Sequence, residues 1–172
     1  MNIVHITDDA GRVVEHGWLK RAQGVHRQLR TALPADYEGK MKRVFAGGAR
    51  MCVATEGDAV RGVAVYRISE NTFEGLHLYV DDLVTDQKQR SRGVGRALME
   101  HALAFLDAAD VATVRLDATP LGRPLYERLG FIEQFQLARY AGTLPRRTSR
   151  TSSGYSPKRR YSNRPRSVRV TD

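Results

Sequence analysis

From Arg50 the apolar residues of this chain switch to strand spacing, and that switch limits its possible folds more than any other feature. Residues 51–55, 60–68 and 73–85 are rich in branched and aromatic side chains, and the turn-forming runs Glu56-Gly57-Asp58 and Ser69-Glu70-Asn71 separate them. Three strands joined by such short turns lie antiparallel, because a parallel neighbour needs a crossover of a dozen or more residues. The first two are expected to form a hairpin with the third beside it. In the third, Leu76, Leu78, Val80 and Val84 share one parity, and His77, Tyr79, Asp81 and Leu83 share the other. One face is thus expected to be oily, with Asp81 on the other face beside Tyr79 and Asp82 turned away from both.

Helical spacing flanks this block. Trp18, Ala22, Val25 and Leu29 recur at intervals of four, three and four, which predicts a helical face between Gly17 and about Thr31. A second helix is expected to begin at Pro34, to turn Tyr37, Met41, Val44 and Phe45 inward and to stop at Gly47-Gly48. Ahead of both, Ile3-Val4-His5-Ile6 reads as a short strand. After the charged loop 86–92, the residues Val94, Leu98, Ala102 and Phe105 predict a helix. A strand over 111–117, a helix opened by Pro120 and a last strand over 131–140 follow. The order β αα βββ αβ αβ is an α+β pattern, a mixed and mainly antiparallel central sheet flanked by helices.

Charge is needed to decide where the fold ends. Residues 143–172 hold nine of the 28 basic side chains and one of the 19 acids, so residues 1–142 carry a net charge of only +1. The tail consists mostly of Arg, Ser, Thr, Pro and Lys, with Leu144, Val168 and Val170 its only aliphatic residues. So little apolar surface does not offset the entropy of ordering. One domain over 1–142 and a disordered basic tail over 143–172 are expected, and Lys158-Arg159-Arg160-Tyr161 could make salt-sensitive, nonspecific contacts with nucleic-acid phosphates. A domain of that size can bury a core without disulfides or metals. The single Cys52, in the apolar run 51–54, excludes a disulfide scaffold or a zinc module and reads as a core residue. No stretch reaches the ~20 apolar residues of a membrane span and no secretory signal is visible, so a cytoplasmic location and no membrane contact are expected.

The stretch Arg90-Ser91-Arg92-Gly93-Val94-Gly95 follows a strand and opens a helix. Glycine there lets the backbone approach a ligand closely. Free amides at the helix start, with Arg90, Arg92 and Arg96 around them, suit the phosphates of a bound molecule. Alone, such a loop is weak evidence.

Taken together, Leu83-Val84-Thr85, the Arg90xxGly93xGly95 loop and, some thirty residues on, Leu125-Tyr126-Glu127-Arg128-Leu129-Gly130-Phe131 resemble the GCN5-related N-acetyltransferase (GNAT) superfamily. The resemblance spans residues 3–140 in element order, and its motifs fall within 76–131. It implies a GNAT-like sheet and an acetyl-CoA site. The segment Arg90, Ser91, Arg92, Gly93, Val94, Gly95 and Arg96 would hold the pyrophosphate, the backbones of Leu83, Val84 and Thr85 the pantetheine arm, and an N–H near Val84 the thioester oxygen. Where the family often has Asn, this chain has Thr119, whose hydroxyl supplies part of the amide's hydrogen bonding.

The resemblance also implies N-acetyl transfer to a primary amine in one ternary complex, with no metal and no covalent enzyme intermediate. Tyr126 stands where the family's general acid usually stands and would protonate the leaving thiolate. An ammonium near pKa ~10 must first lose a proton. Candidates for that step are His77, Tyr79, Asp81 and Asp117, with Asp81 favoured by parity. The acceptor is expected to be a small-molecule or peptide amine, with Asp81 and Asp117 favouring cationic ones, and a homodimer is allowed. Two other readings stand beside this one: a noncatalytic CoA-binding module, for which a filled cleft would argue, and a nucleic-acid-associated protein recruited by its tail. Tyr79, Asp81 and Tyr126 in one cleft would argue for an enzyme.

Overall fold

The computed structural model describes residues 1–133 except Glu74, Ala109, Asp110 and Ala112, and of residues 105–108 the backbone alone. Residues 1–133 form one compact unit. Most of the expected last strand, the expected tail and the inward side chain of Phe105 fall outside the described residues.

The elements are β1 (Asn2–His5), α1 (His16–His26), α2 (Tyr37–Ala46), β2 (Ala49–Glu56), β3 (Ala59–Asn71), β4 (Gly75–Thr85), α3 (Val94–Ala108), β5 (Thr113–Leu116) and α4 (Arg123–Arg128). The strands form one sheet in chain order; β1 to β4 pair antiparallel, and β5 joins β4 in parallel. The parallel step is the one whose strands are joined by a helical crossover, α3.

Alternation along the central strands sorts two cores. Met51, Val53, Val63 and Val65 pack beneath α1 and α2 with Leu19, Ala22, Met41 and Phe45. Their neighbours Cys52, Ala54, Ala64 and Tyr66 face α3, against Val94, Leu98 and Met99. Cys52 is fully buried, and burial pushes its thiol up to about 12, so it is a core residue as its sequence context suggests.

The helices differ from their sequence reading in detail. In α1 the buried residues are Leu19, Ala22, Val25 and His26, so the face is turned from the one that Trp18 and Leu29 suggested. Trp18 lies at the rim with the Arg21 guanidinium 4.8 Å from its ring centre. The helix ends at His26 because the next amides tighten onto nearer carbonyls, Gln28 N–H to Val25 and Leu29 N–H to His26. The guanidinium of Arg27 then holds the carbonyls of Leu33 and Pro34. Helix α2 starts at Tyr37 rather than Pro34, because Asp36 caps it by accepting from Gly39 N–H at 2.8 Å. Strand β3 runs through the expected 69–71 turn and pairs Asn71 with Gly75, which places the turn beyond Asn71, at Thr72 and Phe73.

The parity of β4 also needs correction. Tyr66 pairs with Val80 but Val65 pairs with Asp82, so Asp81 is an extra residue, a β-bulge. Beyond it the alternation reverses. Val84 joins the core beneath α1 and α2, Leu83 packs on the α3 side, and Asp81 and Asp82 open onto the same cleft instead of opposite faces.

Gly62 on β3 sets how closely α3 approaches. A Cβ there would lie 2.7 Å from Val94 Cγ1, 2.8 Å from Leu98 Cδ1 and 3.1 Å from the Val84 carbonyl oxygen. Overpacking of this kind costs roughly 1–3 kcal/mol. Gly62→Ala is therefore expected to lower Tm by roughly 3–10 °C in calorimetry. An unchanged Tm would mean that the start of α3 moves freely away from the sheet.

Candidate phosphate-loop cleft and its neighbour

Strands β4 and β5 stay paired only as far as Val80 with Leu116, and then β4 continues to Thr85 paired with β3 only. The splay opens a cleft of about 410 Å³ between the end of β4, the start of α3 and helix α4. Of the cofactor residues expected from the sequence, Leu83, Val84, Thr85, Arg90, Ser91, Gly93, Val94, Gly95, Arg96 and Thr119 line it, and so does Tyr126. Arg92 does not, and its guanidinium donates to Gln89 Oε1 at 3.2 Å.

The backbone of the loop explains the glycines. Ser91 and Gly93 both adopt left-handed conformations, at φ 63° and 80°, on either side of Arg92. Gly93 has nothing within 4 Å of a notional Cβ, so it is needed for its torsion and not for proximity. Gly95 is the opposite case, since a Cβ there would come within 3.1 Å of Leu125 and 3.3 Å of the Thr85 hydroxyl. Gly93 accepts the first helical hydrogen bond from Ala97. The amides of Val94, Gly95 and Arg96 have no acceptor among the described residues, and they open on the cleft. Among those residues Arg90 and Arg128 also have no ion-pair partner, whereas Arg96 pairs with Glu100 at 2.7 Å. Free amides beside unpaired guanidinium groups suit an anion such as a pyrophosphate.

Alternation along β4 gives its amides a direction. Asp86 N–H bonds to the Arg61 carbonyl on β3. Val84 N–H therefore also points to β3, and the amides of Leu83 and Thr85 point away from it, towards the splay. An N–H for the thioester oxygen would thus belong to one of these two residues, not to Val84 itself.

Tyr126, on α4, is half-buried with its ring edge-on to Phe131 at 5.8 Å. Burial raises its phenol above the usual range, and the hydroxyl has no hydrogen-bond partner among the described residues. Thr119 is partly committed, its Oγ1 accepting from Gly122 N–H at 3.2 Å. Lining residues that sequence reasoning missed are Arg128, on the last turn of α4, and Gln28, just past α1. Gln28 clamps the loop after β4, its amide donating to Asp86 at 3.2 Å and accepting from Gln87 N–H at 2.8 Å. Arg128 stands inside the quoted motif and could have been weighed as a cation; nothing local in the sequence marks Gln28.

A second cleft, of about 520 Å³, lies between the end of α1, the following loop, α2 and the bulged part of β4. The two meet at Leu29, which lines both, and at the Asp82–Leu83 peptide, with Asp82 on one side and Leu83 on the other. Asp81 lines the second cleft and accepts from Arg67 Nε at 2.6 Å. Asp82 is held by His26 Nε2 at 3.0 Å and Arg30 Nε at 2.5 Å, while His26 Nδ1 meets the Tyr37 hydroxyl at 2.9 Å. Burial, and next the charge of Asp82, raises the Tyr37 phenol. His26 and Tyr37 thus form a buried polar network under the bulge, and Tyr37 is more than a packing residue.

Of the four candidate bases, only Asp81 lines either cleft. His77 bonds to Ser69, Asn71 and the Gly75 carbonyl near the far end of β4, about 20 Å along the strand from Leu83. Tyr79 donates to Asp117 at 3.0 Å, and neither residue lines either of these two clefts. Tyr79, Asp81 and Tyr126 do not share one cleft, because the bulge directs Asp81 towards α2 while α4 holds Tyr126 on the other side of the Asp82–Leu83 peptide. Among the described residues no helix is long and apolar enough to cross a membrane, and no three potential metal-ligating side chains come together.

Several solved structures with the same fold are acetyltransferases, at low sequence identity. An acetyltransferase of Trypanosoma brucei is 23% identical with a TM-score of 0.63, covering 81% of this chain and 99% of its own. AAC(6')-Iy, in complex with the bisubstrate analogue CoA-S-monomethyl-acetylneamine, is 16% identical with a TM-score of 0.68, covering 83% and 98%. An acetyltransferase from Clostridium acetobutylicum, solved with acetyl-CoA, is 15% identical with a TM-score of 0.63, covering 81% and 94%. No curated protein sequence matches the chain. The family model of the acetyltransferase (GNAT) domain matches residues 20–143, which takes in the splayed strands, the phosphate loop and both clefts. The chain belongs to the GNAT acetyltransferase family.

Proposed function

We propose that the protein transfers an acetyl group from acetyl-CoA to a primary amine, directly, within one ternary complex. The observation that carries this reading is the meeting of two open clefts at Leu29 and the Asp82–Leu83 peptide, one with a loop suited to phosphates and the other with room for an acceptor. The open second cleft supports this reading, because a filled one would have argued for a binding module without transfer.

In this reading the amides of Val94, Gly95 and Arg96, with Arg90, Arg96 and Arg128, hold the pyrophosphate, and Ser91 and Gly93 shape the loop. Arg92, turned to Gln89, adds charge without contact. The edge of β4 from Leu83 to Thr85 pairs with the pantetheine arm, and Thr119 donates its hydroxyl to it. Bound acetyl-CoA supplies the thioester whose acetyl group is transferred. The N–H of Leu83 or Thr85 stabilises the charge that develops on the carbonyl oxygen. Asp81 takes the proton of the acceptor ammonium through water, and Tyr126 gives one to the leaving sulfur.

The test is an acceptor screen that follows CoA release, with the pH dependence of kcat/KM for wild type and Asp81→Asn. Without the carboxylate, free amine must come from its own equilibrium in solution, at a pKa near ~10. The rising limb is therefore expected to move to higher pH in Asp81→Asn. A limb that stays in place would reduce Asp81 to a substrate-binding residue.

A further inference from the structure

The charges lining the second cleft do not fit the cationic acceptor that the acidic residues alone suggested. Both carboxylates are already matched, Asp81 by Arg67 at 2.6 Å and Asp82 by Arg30 at 2.5 Å and by His26. Lys40 of α2 lines the same cleft and has no ion-pair partner among the described residues. Three cations thus face two carboxylates, and His26 adds no negative charge in either protonation state. The rest of the wall is largely apolar, with Leu33, Met41 and Val44 among its residues. Asp117, the other acid that favoured a cationic acceptor, is tied to Tyr79 outside the cleft.

Resting on the acetyltransferase reading above, we propose that the acceptor is a small amine with an apolar body and an anionic group of its own, a carboxylate or a phosphate. A polyamine or amino sugar would bring further positive charge to a wall that already holds an unpaired cation. An anionic group instead completes the pairing of Lys40 and shares the guanidinium groups of Arg30 and Arg67, both partly exposed. The amine is then left to the Asp81 carboxylate, next to the junction of the clefts. A volume of about 520 Å³ lies within the range of small-molecule sites.

Matched acceptor pairs test this with the full-length protein and saturating acetyl-CoA. Phenylalanine is compared with phenethylamine, 6-aminohexanoate with hexylamine and phosphoethanolamine with ethanolamine; spermidine and neamine serve as polycations. In at least one pair the anionic member is expected to exceed its partner in kcat/KM by tenfold or more, and the pair that responds tells carboxylate from phosphate. Lys40→Gln, a change at an exposed position, is expected to raise KM for that anionic acceptor about tenfold and to leave the neutral partner's KM in place. Equal or better turnover of neutral partners or polycations would overturn this inference alone. CoA binding without release of CoA to any acceptor would overturn the acetyltransferase reading and this inference with it.

Discussion

Gly93→Val is expected to reduce CoA affinity by about 10²-fold while the protein stays folded. The reason is torsional. Gly93 has φ 80° with nothing crowding a notional Cβ, so the substitution meets no clash but forces a β-branched residue into a left-handed conformation. The loop relieves that strain by re-forming, which turns the free amides of Val94, Gly95 and Arg96 away from the cleft. Hydrogen bonds to charged groups contribute roughly 1.5–3 kcal/mol each, so losing one or two accounts for the expected factor. Titration calorimetry measures it, with circular dichroism as the control for folding. Undiminished affinity in a folded variant would separate CoA binding from this loop.

Tyr126→Phe is expected to retain the fold and CoA affinity and to lower kcat by about 10²-fold. The substitution keeps the ring against Phe131 and removes only a hydroxyl that has no partner among the described residues. At reference pKa values, transfer from a phenol near ~10 to a thiolate near ~8.5 is uphill by about 2 kcal/mol. Burial raises the phenol further, so the effect is set at the lower end of acid catalysis. The sign of the pH dependence follows. A general acid works while protonated, so activity is retained through neutral pH and falls as pH rises through the raised tyrosine pKa. In the wild type that descending limb belongs above pH ~10, and Tyr126→Phe removes it. A fully active variant would leave solvent to protonate the leaving group.

Much of this architecture could be read from residue spacing. The turns at Gly57 and Gly47-Gly48, the branched runs between them and the helix after Gly93 are local properties, set by torsion and by which side chains alternate. What could not be read depends on partners distant in sequence. The bulge at Asp81 exists only in relation to Val65 and Tyr66 across the sheet, and it moves Asp82 to the side of Asp81. The rotated face of α1 follows from Leu19 and His26 packing beneath a sheet whose position α1 does not encode. The same holds for the site. Apart from Arg92, the residues from Arg90 to Arg96 reach the first cleft as one continuous segment, whereas Gln28, Lys40, Arg67 and Arg128 come to the clefts from four separate stretches of the chain. Asp81 pairs with Arg67 across the sheet, a partner that the sequence of β4 alone does not show.

The splay of β4 from β5 has a consequence for amide exchange. Val84 N–H is bonded to β3 whether or not the cleft is filled, while those of Leu83 and Thr85 face the opening. Three consecutive residues should therefore exchange with solvent deuterium in a fast–slow–fast pattern in the free protein. Saturation with CoA should slow the outer two and leave the middle one as it was. If the arm occupied the cleft without pairing to the strand edge, CoA would still bind and the alternation would persist. The exchange rates of these neighbouring amides thus distinguish a ligand held as an added strand from one held by its phosphates alone.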